Sequence, residues 1–341
     1  MPTIRDVARE AGVSVATVSY VLNNKSHFYS DATRDRVLEA IKTIGYTRNI
    51  NARNLKANET RLIGYAWHHA KEDETNPILD RFIYSLAQYA EQANYHILTF
   101  THPIHDPLPV YDDLIRTQRV DGFVLSGTQR HDVRIHHLRE EKFPFVTFGR
   151  SNLDGDYTWV DTDGFDGAFE ATKYLISLGH RRIGFVGWPE ESISGSFRLD
   201  GYREALAQAQ LEARPEYLFR GEQSEETGRL AWDYWSGLPA EQRPTATVAV
   251  TDLIAIGLMK AIENANLQVG RDFSVIGFDN SPMSQHLRPS LTTIQQPIDQ
   301  IAYQLIQLLE ARLVTGVEEN KQILVKPQLV IRNSCGAPSL P

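Results

Sequence analysis

Charged and aromatic side chains stand directly behind apolar runs at several places in this 341-residue chain. Trp67 and His68 follow the first run and Gly149-Arg150 the fourth, while Trp188, Thr251-Asp252 and Asp279-Asn280 follow later ones. Ligands of α/β sheets collect at the carboxyl ends of strands, so such residues are placed to bind a polar molecule. Arg and Asp supply donors and acceptors for hydroxyls, and an indole offers a flat face to the C–H side of a sugar ring. The same inventory points away from turnover. There is no Gly-x-Ser-x-Gly elbow and no phosphate loop. Histidines 68, 69, 102, 105, 131, 136 and 137 show neither His-x₃-His nor His-Glu-x-x-His spacing, so neither a metal site nor a cofactor is expected. The acids of Asp161-Thr162-Asp163-Gly164 lack the spacing of an EF-hand; Asp163 fits a helix N-cap, and Asp161 is placed to face a cleft.

The elements that must position these residues alternate. Strands are expected over 62–67, 95–100, 120–126 and 144–148, with a short one over 157–161. A second series has strands over 182–187, 245–250 and 273–278. Helical patterns fall between, over 77–93, 109–118, 131–141, 164–178, 197–210, 224–235 and 252–265. Such βαβα alternation predicts parallel sheets covered by helices on both faces, here as two α/β subdomains. The tail reads as 291–294, a helix over 298–313 and a strand over 322–331. That is too little for a third subdomain, so the tail completes the first two.

Ahead of this body stands a different texture. Val7, Ala8 and Ala11 recur at helical spacing and Gly12 ends the pattern. Ser14 is a good N-cap for a second helix striped by Val15, Val18, Val21 and Leu22. Two short helices around a glycine turn are a helix-turn-helix, whose second helix lies in the major groove of DNA. Ser30 caps a third helix, with Val37, Leu38, Ile41 and Ile44 as its apolar stripe and Gly45 as its stop.

The segment Ala11-Gly12-Val13-Ser14, then Thr17-Val18-Ser19 and Val21-Leu22-Asn23, resembles the head of the lac repressor/gal repressor family of bacterial transcription regulators. Further matches are Leu178-Gly179-His180-Arg181-Arg182-Ile183-Gly184-Phe185, Arg198-Leu199-Asp200-Gly201-Tyr202, Thr251-Asp252, Gly277-Phe278-Asp279-Asn280 and Leu291-Thr292-Thr293-Ile294. The resemblance covers essentially the whole chain. It implies a small all-α helix-turn-helix domain plus an α/β core of two doubly wound parallel-sheet subdomains, like a periplasmic binding protein, with three chain crossings between lobes. The expected boundaries are a head over 1–48, a hinge over 49–60 and a core over 61–341. The N-lobe then comprises 61–161 and 291–319, and the C-lobe 162–290 and 320–341.

The resemblance further implies a cytoplasmic, non-enzymatic, dimeric repressor. It would bind a pseudo-palindromic double-stranded operator under control of a small sugar-like effector. The residues expected at DNA are Thr3, Ser14, Val15, Ala16, Thr17, Ser19, Tyr20 and Asn23 in the head, and Asn49, Ala52, Arg53 and Leu55 in the hinge. Leu55 matches the leucine that wedges between base pairs in the minor groove. Two departures stand out: Arg48-Asn49 replaces the usual Pro-Asn, and Tyr20 stands where arginine is common. Val15 and Ala16 can meet thymine methyls but cannot make bidentate contacts to guanine. The residues expected at the effector are Trp67, Arg150, Asp161, Trp188, Arg198, Gln223, Thr251 and Asp279. Arg198 and Asp279 match the family's effector-binding pair, and Gln223 stands where the lac repressor has a stacking tryptophan. Plainer roles are a turn cap for Asp279 and a same-helix ion pair with Asp200 or Glu204 for Arg198.

Composition agrees with this division. The chain carries net charge −8, distributed as +3 over residues 1–60 and −11 over the rest, so only the head suits a polyanion. One cysteine, Cys335, excludes an intrachain disulfide and fits a reducing compartment. No apolar run approaches the roughly 18 residues of a membrane span. Absence of C-terminal leucine heptads predicts a dimer rather than a tethered tetramer. A solute-binding protein would share the core without needing residues 1–58, and an α/β enzyme would need a nucleophile or metal constellation that the sequence does not offer.

Overall fold

The computed structural model describes residues 2–46, 59–67, 76–103, 105–151, 157–317 and 319–338. The chain divides into two compact units, Met1–Thr60 and Arg61–Pro341. Among the described residues no helix is long and apolar enough to cross a membrane.

In the first unit, α1 (Ile4–Glu10), α2 (Val15–Leu22) and α3 (Asp31–Ile44) enclose Val7, Ala8, Ala11, Val18, Val21, Val37 and Ala40. Gly12 sits at φ +63° after α1, where a side chain would be strained. The Ser14 hydroxyl accepts the Thr17 N–H at 3.0 Å, and Thr3 donates its N–H to Asp6 at 2.8 Å. Two positions of the expected stripes face outward instead: Val15 is 41% and Leu38 49% exposed. Leu38 is one residue, about 100° of helix turn, past buried Val37, and Ala40 takes the inner place. Val15 opens α2 before its stripe reaches the core.

The second unit holds two six-stranded sheets. The first is built from β1 (Leu62–Ala66), β2 (His96–Phe100), β3 (Gly122–Leu125), β4 (Phe145–Phe148) and β5 (Trp159–Thr162). Helices α4 (Pro77–Gln92), α5 (Leu108–Arg116) and α6 (Val133–Glu140) alternate with these strands. The second is built from β6 (Ile183–Gly187), β7 (Leu218–Arg220), β8 (Ala246–Ala249), β9 (Ser274–Asp279) and β10 (Thr292–Gln295). It carries α7 (Gly164–Ser177), α8 (Ile193–Gln208), α9 (Glu225–Ser236) and α10 (Asp252–Asn264). Last come α11 (Ile298–Thr315), β11 (Gln322–Val325) and β12 (Gln328–Val330).

The strand orders are β11-β5-β4-β3-β1-β2 and β12-β10-β9-β8-β6-β7. Among the described residues all strand pairings are parallel except β10–β12. Each sheet reverses its winding beside its first strand, so a crevice opens at the carboxyl ends of β1/β3 and of β6/β8. This architecture agrees with the expected fold class, but the lobe boundaries differ. Thr292–Gln295, expected in the first lobe, lies in the second sheet, parallel to β9. The single strand expected over 322–331 is two strands, one in each sheet. Pro327 has no N–H to continue a ladder, and the chain changes sheets there. Residues 322–325 therefore belong with the first lobe, paired parallel to β5. The crossings fall near 163, 296 and 327.

A close helix contact holds the crevice walls. A Cβ on Gly201 of α8 would lie 2.1 Å from the Phe165 carbonyl oxygen of α7. Only glycine lets the two backbones approach this way, and α8 is the helix that carries Arg198.

Candidate ligand cleft and helix-turn-helix head

A cavity of about 320 Å³ lies between the two lobes. The first sheet contributes Thr128 beyond β3, Phe148 and Arg150 at the end of β4, and Asp161 and Thr162 of β5. The second contributes Trp188 beyond β6 and Ser192, Ser194, Phe197 and Arg198 at the start of α8. Asn76 at the cap of α4, Gly164 at the start of α7 and Gln296 on a crossing segment close it. The volume suits a ligand of monosaccharide size.

Arg198 is the most unusual group there. It is 5% exposed, and its guanidinium lies 3.7 Å from the Phe278 ring centroid and 4.8 Å from that of Trp188. Its Nη1 donates to the Val250 carbonyl, and its Nε has no acceptor among the described residues. Burial pulls its pKa down to about 10, against the fields of Asp279 and Asp161. Neither same-helix partner is used; Asp200 pairs with Arg203. A buried donor without an acceptor costs about 1–3 kcal/mol.

Arg150 stacks 3.6 Å from the Phe197 centroid and donates from Nε to Asp161 at 2.9 Å. Burial raises the Asp161 pKa and Arg150 opposes the rise. Gly149 before it adopts φ +105°, and a Cβ there would meet the Thr128 hydroxyl at 2.6 Å. That hydroxyl donates to the Arg150 carbonyl at 2.8 Å, which fixes the backbone that aims the guanidinium.

Of the eight residues expected at the effector, the cavity brings together Arg150, Asp161, Trp188 and Arg198. The other four lie elsewhere. Trp67 is 40% exposed, and its backbone N–H donates to the Phe100 carbonyl at 2.7 Å. Gln223 sits in the turn between β7 and α9. Thr251 caps α10, accepting the Ile254 N–H at 3.3 Å. Asp279, at φ +134°, lines a separate cavity of about 200 Å³ with Arg81, Asn280, Gln285 and Arg332. It reaches the first cavity through Gln296, whose Nε2 donates to it at 2.7 Å. Its carboxyl pKa is pushed up to about 8, by burial first and by the Asp252 charge second.

Gln296 was not expected. Its Oε1 accepts the Thr162 hydroxyl at 2.9 Å, so one side chain joins β5 of the first sheet to β9 of the second. The sequence signal was the Gln295-Gln296-Pro297 run behind a strand end. Asp163 caps α7 as expected, accepting the Asp166 N–H at 2.9 Å. Among the described residues no three His, Cys, Asp or Glu gather as metal ligands.

In the head, Val15 and Ala16 are exposed on the first turn of α2. The Tyr20 ring stacks on Phe28 with centroids 4.7 Å apart. Ser14 and Thr17 share a hydrogen bond at 2.9 Å, Thr3 is held by Asp6, and the Asn23 amide donates to the Ser19 carbonyl at 2.7 Å. Asn49, Ala52, Arg53 and Leu55 lie outside the described residues.

Comparison with known proteins bears on both units. Residues 3–49 match the bacterial regulatory proteins of the lacI family, and residues 172–335 match the periplasmic binding protein-like domain. The HTH-type transcriptional repressor PurR of Proteus mirabilis is 33% identical over 337 residues, covering 98% of this chain and 97% of that protein. A regulatory protein of the LacI family from Chloroflexus aggregans superposes with TM-score 0.77 at 43% identity, over 81% of this chain and 99% of that one. The lac repressor dimer bound to operator and the anti-inducer ONPF superposes with TM-score 0.81 at 26% identity, over 98% and 99%. The transcriptional regulator CelR in complex with cellobiose gives 0.74 at 26%, over 98% and 100%. With a helix-turn-helix head and a two-lobed core that both match along their length, the chain belongs to the lacI family of bacterial regulatory proteins, DNA-binding transcriptional repressors governed by a small molecule.

Proposed function

We propose that the effector binds in the cavity between the lobes, held by Arg198, Arg150, Asp161, Gln296 and the Trp188 ring. The observation that carries this is Arg198, buried on two aromatic faces with an unmatched Nε in a cavity wall. The effector is sugar-like, in keeping with the cavity's size, its stacked aromatics and the cellobiose complex of CelR. Two copies of the chain act together on a pseudo-palindromic operator, each placing α2 in the major groove and Leu55 in the minor groove. Val15, Ala16 and Tyr20 read base edges and Thr17 and Ser19 contact phosphates or base edges, while Thr3, Ser14 and Asn23 hold helix ends near phosphates; Asn49, Ala52 and Arg53 accompany Leu55. Residues 49–60 form the hinge. The protein works in the cytoplasm and catalyses no reaction. Effector binding shifts the lobes and so changes DNA affinity, and DNA changes effector affinity by the same factor.

The test is selection of DNA from a library of pseudo-palindromes by the purified chain, with and without a panel of mono- and disaccharides. One palindrome should enrich and respond to one sugar. Salt-sensitive binding without sequence preference would refute the reading.

A further inference from the structure

The described wall of the cavity carries more positive than negative side chains. It holds two guanidiniums, Arg150 and Arg198, and a single carboxylate, Asp161, among the described residues. That carboxylate is already bonded to Arg150. Asp279, the other nearby acid, lies in the adjoining cavity and is engaged by Gln296. The wall also includes the first turns of α4, α7 and α8, through Ile78, Gly164 and Ser194. First-turn N–H groups have no acceptor within their own helix and carry the positive end of its dipole. In α8 Ser192 satisfies only the N–H of Gly195, at 3.1 Å.

Helix starts at a cleft follow from the parallel topology and say little alone. Arg198 is the independent observation: 5% exposed, with a donor that no described residue accepts, in the same wall. A neutral sugar brings hydroxyls, each of which both donates and accepts, and would need carboxylates or carbonyls to receive its protons. Two guanidiniums faced by a single carboxylate that is already committed leave an excess of positive charge, which is matched by a group that accepts and carries negative charge.

Resting on the reading of this cavity as the effector site, we propose that the effector is a small polyol bearing one anionic group. That group is a carboxylate or a phosphate, held between Arg198, Arg150 and the first turn of α8. The polyol body occupies the remainder, against Trp188 and Phe148.

The test is calorimetric titration of the full chain at constant ionic strength with inorganic phosphate and matched ligands. These are glucose with glucuronate and glucose 6-phosphate, galactose with galacturonate, and ribose with ribose 5-phosphate. Two variants accompany it. Arg150→Gln removes one guanidinium. Ser194→Asp places a carboxylate in the wall at a first-turn position that favours the helix, so it keeps the fold if Arg150→Gln does not. Phosphate should bind weakly, and the anionic member of at least one set should bind at least tenfold tighter than its neutral partner. Both variants should cut anion binding by roughly tenfold to a hundredfold, the value of a charge-assisted contact. The carboxylate and phosphate arms separate the two sources of charge. A neutral sugar that binds as tightly as its acid, and loses affinity in the variants, sinks the anionic effector while leaving the cleft as the site. Anion binding that neither variant alters places the anion elsewhere and removes the cleft reading itself. No heat with phosphate or any acid overturns the proposal.

Discussion

Two arginines in this core are equally buried and differently paired, and replacing each by methionine separates ligand chemistry from fold chemistry. Arg134 and Arg198 are each 5% exposed. The guanidinium of Arg134 donates to Asp132 at 2.6 and 2.9 Å and to the Ser126 carbonyl at 3.2 Å. Burial works against its charge, and the Asp132 carboxylate overrides that and holds the pKa high. Arg134→Met leaves Asp132 buried and stripped of its counter-ion, at a cost of about 3–5 kcal/mol. Among the described residues Arg198 bonds the Val250 carbonyl and lies on two rings, with Asp279 and Asp161 acting through their fields. Arg198→Met loses that bond, worth about 1.5–3 kcal/mol, and a desolvated cation–π contact of about 2 kcal/mol. It gains relief of an unmatched donor, about 1–3 kcal/mol, and of a buried charge that costs several kcal/mol. A thioether on an aromatic face adds about 0.3–1.5 kcal/mol. The losses come to about 3.5–5 kcal/mol and the gains are of the same size or larger, so no net destabilisation is expected. Urea unfolding followed by circular dichroism, with an unchanged m-value, measures both variants. Arg198→Met should retain the stability of the parent and full operator binding, and lose every response to effector. A loss above about 4 kcal/mol at Arg198, or equal losses at both sites, would refute the distinction between an arginine kept for the fold and one kept for a ligand.

His180 is buried, with Nε2 2.9 Å from the Gly336 carbonyl and Nδ1 2.8 Å from the Thr245 hydroxyl, and burial holds its pKa below 6.5. The fold favours the neutral ring, so this contribution is intact above pH 6.5 and declines below it by up to about 1.4 kcal/mol per pH unit; His180→Asn should flatten that slope in urea titrations between pH 7 and 5. Gly201→Ala drives a methyl against the Phe165 carbonyl and should cost about 3 kcal/mol, seen as a lowered melting temperature and weakened effector binding together, whereas an unchanged melting temperature would mean that α7 and α8 separate freely. Phe28→Ala removes the ring that holds Tyr20 at 4.7 Å. Operator affinity should fall roughly two- to tenfold, the worth of one aromatic pair, with the core's unfolding unchanged; an unaltered affinity would exclude Tyr20 as an oriented reader.

Much of the fold could be read from local pattern. Gly12, Gly45 and Gly179 stop helices where the apolar spacing ends, and Ser14, Ser30 and Asp163 cap them, because these effects act within one turn of chain. The lobe boundaries could not be read the same way. The run over 322–331 is uniformly strand-like, and which sheet takes each half depends on partners far away in sequence, β5 and β10. The site divides similarly. Arg150 and Trp188 follow strand ends and face the cavity, but Thr251 and Asp279 also follow strand ends and face other ways. Thr251 is turned aside by its capping bond, and Asp279 leaves its strand at φ +134°. Position behind a strand places a residue at the correct edge of a sheet, while the last dihedral decides what it touches. Gln296 was missed because its role exists only when two sheets meet.

The three crossings lie side by side. The Thr162 hydroxyl bonds Gln296 at 2.9 Å, and the Asp163 N–H bonds the Val325 carbonyl at 2.9 Å. A single connector would let the lobes pivot about any axis. Three adjacent ones behave as a strap: bending all of them together is soft, while twisting would stretch one against another. Connectors tied in this way favour opening and closing of the two lobes over a twist between them. Work done by a ligand in the cleft is directed mainly into that motion.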